Sequence, residues 1–192
     1  SPPFSRPFQL RPAMLKKILI ALAVLIVGFV IVVSLQPKTF RVERALAIAA
    51  PAGDIFPHLD DFKKSAAWSP WLKLDPAIKL AYEGPPAGVG ASQTWSGNSE
   101  VGAGRQTITA SRPNELVHIT LEFTEPFKST CDSELALKPD GNKTVVTWSM
   151  FGESDFLARA ICLFMDQDKM IGGPFEEGLA TLKGIVEKPA KK

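Results

Sequence analysis

The chain has 192 residues, 45% of them hydrophobic, with 22 basic and 20 acidic side chains and a formal charge of +2. Four basic residues precede an apolar run at Ile18–Leu35; the 18 basic and 20 acidic residues beyond Gln36 give the remainder a charge of −2. With no Lys/Arg stripe and no recognition-helix pattern, this balance argues against nucleic-acid binding, and the 156 residues after Gln36 suffice for one domain with its own core.

The run Ile18–Leu35 carries no charge, and Ser34 is its only polar side chain. As a helix it is about 27 Å long at 1.5 Å per residue, close to the hydrocarbon thickness of a bilayer. A buried core helix would carry a polar stripe, and none is present. Arg6, Arg11, Lys16 and Lys17 precede the run without an acid, whereas Lys38, Arg41 and Arg44 follow it mixed with Glu43. The positive-inside rule then places residues 1–17 as a cytoplasmic tail, 18–35 as a single-pass anchor in the cytoplasmic membrane, and the rest on the periplasmic or extracellular side. The apolar stretch exceeds that of a signal peptide, no A-x-A site follows, and no Cys follows for lipidation, so an uncleaved anchor is expected. Residues 1–13, rich in Pro and Arg, read as an extension without a fold of its own.

Thr39–Ile48 alternates as a strand with Phe40, Val42, Leu46 and Ile48 inward, and Arg44 stands on that apolar side. Ala50–Asp54 turns into a short helix carrying Ile55, Phe56 and Leu59. Asp60–Trp71 reads as a second short helix ending at Ser69-Pro70, with Trp68 and Trp71 on similar sides. Strands follow near Ile78–Tyr82, Ser92–Ser96, Gln106–Ser111, Leu116–Phe123, Phe127–Leu137 and Thr144–Phe151, separated by Gly- and Pro-rich turns. After Gly152 the apolar period becomes helical. Phe156, Leu157, Ala160, Ile161, Phe164 and Met165 form one face; Gly172-Gly173 breaks the pattern, and Pro174 opens a last helix with Phe175, Leu179, Leu182 and Val186 inward. The one apolar face of an antiparallel sheet must be covered, and the terminal helices are available to cover it, giving an α+β fold with a curved sheet around the C-terminal helix.

That order, with WSPW and a following DP (Trp68–Trp71, Asp75-Pro76), EGPPAGVGASQTWSGN (Glu83–Asn98), VTWSMFG (Val146–Gly152) and FMDQDKMIGGPFEEGLATLK (Phe164–Lys183), resembles the SRPBCC superfamily. This START-like, helix-grip group includes polyketide cyclases and lipid-transfer domains. The resemblance spans about Phe40–Glu187, within a domain bounded at 39–188. It implies about seven antiparallel strands wrapped around a long C-terminal helix, and a pocket between sheet and helix suited to an apolar ligand. The anchor lies outside the usual pattern of the group.

Chemistry-bearing motifs are sparse. His58 and His118 are the two histidines, and no H-x-x-x-H, C-x-x-C or G-x-S-x-G occurs. Asp166-x-Asp168 reads as a pair of helix N-terminal acids, and no catalytic or metal site and no cofactor is expected. Cys131 and Cys162 read as buried thiols, with a disulfide as the alternative. The expected pocket lining is Arg44, Trp68, Trp71, Trp95, Ile108, Phe123, Phe127, Trp148, Met150, Phe175 and Leu179. Arg44 either fixes a ligand's head or pairs with an acid at the rim. The expected function is non-enzymatic binding of a hydrophobic or lipid-like molecule, as carrier or sensor, with the membrane engaged through Ile18–Leu35. The alternatives are a cyclase-like or hydrolase-like enzyme using Glu122 or Asp132, both outward by alternation, and an interaction or chaperone-like domain with a filled cavity. Nothing in the sequence sets the oligomeric state.

Overall fold

The computed structural model describes residues 12–188, so most of the N-terminal extension lies outside the described residues. Helix α1 (Pro12–Leu35) is unbroken. Its Met14–Leu35 stretch is long and apolar enough to cross a membrane, and along it only Val33 is buried. Three residues, Gln36–Lys38, connect it to the domain.

The domain is one seven-stranded antiparallel sheet: β1 (Thr39–Ile48), β2 (Lys79–Glu83), β3 (Ser92–Ser96), β4 (Ala103–Arg112), β5 (Leu116–Glu125), β6 (Ser129–Asp140) and β7 (Lys143–Glu153). Their order is β1-β7-β6-β5-β4-β3-β2. The first strand therefore lies against the last, from Thr39 opposite Glu153 to Ile48 opposite Thr144, while β2 to β7 form a meander. Three short helices carry the chain from β1 to the far edge: α2 (Ala52–Leu59), α3 (Phe62–Ser65) and α4 (Trp71–Leu74). After β7 come α5 (Phe156–Cys162) and the long α6 (Gln167–Val186). The α+β helix-grip fold expected from the order of the elements is the fold observed.

The core lies where α6 and α2 cover the sheet. Ile48, Ile55, Leu59, Ile108, Leu135, Val146, Phe175, Leu179 and Leu182 are fully buried there. Thr144 is buried too, and its hydroxyl donates to the Ala50 carbonyl at 2.8 Å, so the polar atom is satisfied.

Two local expectations are corrected. The helix expected over Asp60–Trp71 is a single turn, α3, capped by the Asp61 carboxylate, which accepts from the Lys63 and Lys64 amides. Pro70 disfavours helical backbone at Ser69, so the chain restarts at Trp71 as α4. Trp68 and Trp71 consequently part, one into the core and one toward a cavity. The second correction concerns Gly172-Gly173-Pro174, which do not end a helix. α6 runs through them, holding Ile171 and Phe175 in the core on either side. Pro174 forfeits one backbone hydrogen bond, and Gly172 leaves room for the Arg44 guanidinium, whose Nη2 lies 2.1 Å from where a Cβ would stand.

Candidate functional site

A cavity of about 430 Å³ opens between the β2–β6 side of the sheet, helices α3 and α4, and the first turns of α6. Its wall is mostly apolar: Phe40, Trp71, Leu72, Ile78, Leu80, Trp95, Leu121, Phe123, Cys131, Met150 and Ile171 all line it. Glu125, Phe127, Glu153, Ser154, Ala158 and Met170 also line it, and Glu125, Phe127, Glu153 and Met170 among them are exposed.

The aromatic wall is built by small residues opposite large ones. Trp95 on β3 pairs with Gly104 on β4, and a Cβ at 104 would stand 2.6 Å from the indole ring. The ring is fixed by its Nε1–H donating to the Val101 carbonyl at 3.1 Å and by an edge contact with Phe123, 5.4 Å between centroids. The buried Asp75 carboxylate accepts from the Ala77 amide at 2.9 Å and the Asn98 amide at 2.6 Å. It thereby ties the α4–β2 connection to the β3–β4 turn at the cavity edge.

Polar side chains are the minority of the lining: Ser65, Ser69, Gln93, Gln106, Ser129, Thr130, Ser154 and Gln167, with three glutamates. Gln93, buried, and Gln106 line it from adjacent strands, and Gln106 Nε2 donates to Gln93 Oε1. The pair leaves a Gln93 N–H and the Gln106 carbonyl without a protein partner among the described residues. Among the described residues no lysine or arginine lines the cavity, and Glu100, Glu125 and Glu153 are its charged residues, all three exposed. The Cys131 thiol is pushed up to about 11, chiefly by burial and then by Asp132, so it stays protonated at neutral pH. Both cysteines are free, Cys131 buried and Cys162 exposed.

Of the residues expected to line a pocket, Trp71, Trp95, Phe123, Phe127 and Met150 do so. Trp68, Ile108, Trp148, Phe175 and Leu179 do not; they are packed core. Trp148 stacks on Phe175 at 3.9 Å, and Trp68 meets Trp148 edge-on at 5.2 Å. Each indole is satisfied, Trp148 donating to Ser133 Oγ at 2.9 Å and Trp68 to the His58 carbonyl at 3.0 Å. These rings fill the half of the groove beneath α6, and the open space is displaced toward α4. Arg44 stands outside the cavity. It donates to Asp168 Oδ2 at 2.7 Å and to Glu176 Oε1 at 2.6 Å, contacts that raise its pKa and hold the Asp168 carboxyl below the usual range. Phe40, Leu72, Ile78, Leu80, Leu121, Cys131, Ile171, Gln93 and Gln106 also belong to the wall; alternation gave Phe40 and Leu121 an inward side chain, whereas no sequence signal singled out the two glutamines.

The other titratable groups lie elsewhere. His118 approaches Asp132 at 3.3 Å and Glu134 at 3.8 Å on the outer face of the sheet, where Asp132 also accepts from Thr120 at 2.9 Å. Glu122 is exposed. Burial lowers the pKa of His58, whose Nδ1 has no partner among the described residues, but His58 does not line the cavity. Among the described residues no group of three or more His, Cys, Asp or Glu side chains is placed to hold a metal ion.

The fold recurs in solved structures. A ginseng major latex-like protein from Panax ginseng aligns with a TM-score of 0.54 at 15% identity, covering 79% of this chain and 99% of its own. The Aha1 dimer from Colwellia psychrerythraea aligns at 0.54 and 17%, covering 78% and 97%, and protein CV1439 from Chromobacterium violaceum at 0.54 and 16%, covering 80% and 100%. At these identities the likeness concerns the fold alone. No curated protein sequence matches the chain. The profile of one family, described as polyketide cyclase / dehydrase and lipid transport, matches residues 39–187, and to that family, within the SRPBCC superfamily, the chain belongs.

Proposed function

We propose that the protein is a membrane-tethered, non-enzymatic binder of an uncharged hydrophobic molecule, acting as a carrier or sensor on the outer side of the cytoplasmic membrane. The carrying observation is the cavity itself: about 430 Å³, walled mostly by aromatic and aliphatic side chains, with an amide pair among its polar groups and, among the described residues, no basic residue in its lining. Pockets of 300–1,000 Å³ with few, well-placed polar groups suit drug-sized apolar ligands. Each 100 Å² of ligand surface removed from water contributes about 2.5 kcal/mol. The free N–H and carbonyl of the glutamine pair match a hydroxyl or carbonyl on the ligand. Three glutamates and, among the described residues, no cation in the lining itself disfavour a carboxylate or phosphate head. The apolar α1 supports the tether, and the basic residues before it support a cytoplasmic N-terminus.

An enzyme of this fold would need a proton-transferring pair facing the cavity. The carboxylate–histidine contacts among the described residues, Asp132 and Glu134 with His118, are on the opposite face, which favours binding over catalysis.

The test is displacement of a fluorescent long-chain alcohol from the full chain in detergent, with mass spectrometry of what co-purifies. Neutral apolar competitors displace the probe, and a fatty-acid anion of equal length competes at least about tenfold more weakly, the equivalent of 1.4 kcal/mol. Equal competition by the anion overturns the assignment of an uncharged ligand. Absence of both probe binding and a co-purifying apolar species overturns the binding function.

A further inference from the structure

Helix α5 has no buried residue. Phe156 and Leu157 in α5, Phe164 and Met165 in the α5–α6 connection, and Met170 in the first turn of α6 are all exposed, Phe164 at 81%. The same segment is fastened to the end of α1. Arg159 Nη1 lies 3.5 Å and 3.4 Å from the Val33 and Ser34 carbonyls, the Val33 side chain is fully buried, and the Ser154 amide donates to the Lys38 carbonyl at 2.8 Å. Three residues link α1 to β1, a reach of about 10 Å when extended. If Ile18–Leu35 spans the bilayer, the last turn of α1 lies at its interface, and α5 must lie there with it.

We infer that α5 and the α5–α6 connection form a lip that docks into the membrane surface and seats the cavity mouth against the bilayer. This inference rests on the tethered reading above. Amphipathic surface helices sink their apolar side chains about 5–10 Å into the headgroup boundary. Ala158 of the lip lines the cavity, as do the exposed Met170 just beyond the lip and the exposed Phe127. The ligand is therefore a bilayer constituent, entering from the lipid rather than from free solution.

The experiment uses the full chain in phosphatidylcholine nanodiscs, labelled at neutral pH on the exposed thiol of Cys162 with an environment-sensitive fluorophore. The buried, protonated Cys131 does not compete for the label. Nitroxide lipids spin-labelled near the headgroup quench the fluorophore at least about twofold, and aqueous iodide quenches it little. Leu157→Glu with Phe164→Glu, both exposed and outside the cavity lining, abolishes nitroxide quenching and slows uptake of the neutral probe from vesicles about tenfold or more, while probe binding in detergent and thermal stability stay unchanged. Free quenching by iodide with none by nitroxide lipid, in a chain that resists carbonate extraction, overturns the lip and leaves the tether standing. Energy transfer between labelled copies without lipid quenching means that a second copy covers the lip, and also overturns it. Extraction by carbonate overturns the tether itself.

Discussion

At the scale of single residues, glycines opposite bulky groups decide where side chains go. Gly172 illustrates this with a testable reversal of sign. Alanine is a better helix former than glycine by up to about 1 kcal/mol, so Gly172→Ala in an Arg44→Ala background raises Tm by about 1–4 °C. With Arg44 present, the new Cβ displaces a guanidinium held by Asp168 and Glu176, and the same substitution lowers Tm. A melting series on the four combinations checks it; additive effects would refute the packing. Arg44 also shows the limit of sequence reading. Its place on an apolar strand face was legible, but whether it met a ligand or an acid depended on how α6 docks, which strand periodicity does not encode. His58 carries a second residue-scale prediction. Its folded pKa lies below the unfolded value, so the unfolded chain takes up a proton first as pH falls. Stability from this group is complete above about pH 6.5 and declines as pH drops toward the folded pKa. His58→Gln removes this acid-side decline near pH 6, measured by urea midpoints between pH 5.5 and 7.5, while leaving the Trp68 hydrogen bond to the residue 58 carbonyl in place.

At the scale of elements, the strands were the legible part, because period-2 alternation survives from sequence to sheet without reference to neighbours. The helices were less so. Gly172-Gly173-Pro174 carry every local sign of a break, yet burial of Ile171 and Phe175 outweighs the local penalty and α6 continues. Beyond its buried apolar face, α6 is fastened to β1 and the turn after it by charged side chains. Arg44 engages Asp168 and Glu176 at one end; at the other, Glu187 accepts from the Ala49 amide at 2.6 Å and Lys183 donates to the Ala47 carbonyl at 2.8 Å. Asp168, hydrogen-bonded by Arg44, and Glu187, hydrogen-bonded by the Ala49 amide, both have lowered pKa values. Depressed carboxylates contribute stability fully above their unfolded pKa, about 4, and lose it as pH falls through the folded value. α6 is therefore expected to loosen from β1 below about pH 4, ahead of the β5–β6–β7 pairing. Hydrogen exchange at pH 3 checks this: faster exchange along α6 than in those strands is the expected result, and simultaneous loss of both would refute it.

At the scale of the whole molecule, the sequence located the greasy face of the sheet but not which part of the groove is hollow. Trp148 and Trp95 look alike in the sequence, each a tryptophan within a strand expected to line the pocket. One stacks on Phe175 and meets Trp68 edge-on, and the other borders open space. The difference arises because α6 crosses the sheet at one end, whereas the thin α3–α4 connection bridges the other, and that geometry depends on contacts more than 70 residues apart, such as Trp68 with Trp148. The division predicts opposite responses to matched substitutions. Beneath α6, Leu179→Ala removes a fully buried side chain from close-packed surroundings and costs about 2–5 kcal/mol. At the cavity wall, Leu121→Trp adds bulk where space exists, so it costs less than about 1 kcal/mol or stabilises, unlike overpacking of a filled core. The two variants separate binding from stability. Leu121→Trp abolishes displacement of the neutral probe in a protein that melts at or above the parent temperature, whereas Leu179→Ala binds the probe at low temperature and melts early. A Leu121→Trp variant that retains full binding would mean that the ligand occupies some other part of the molecule, whatever its stability.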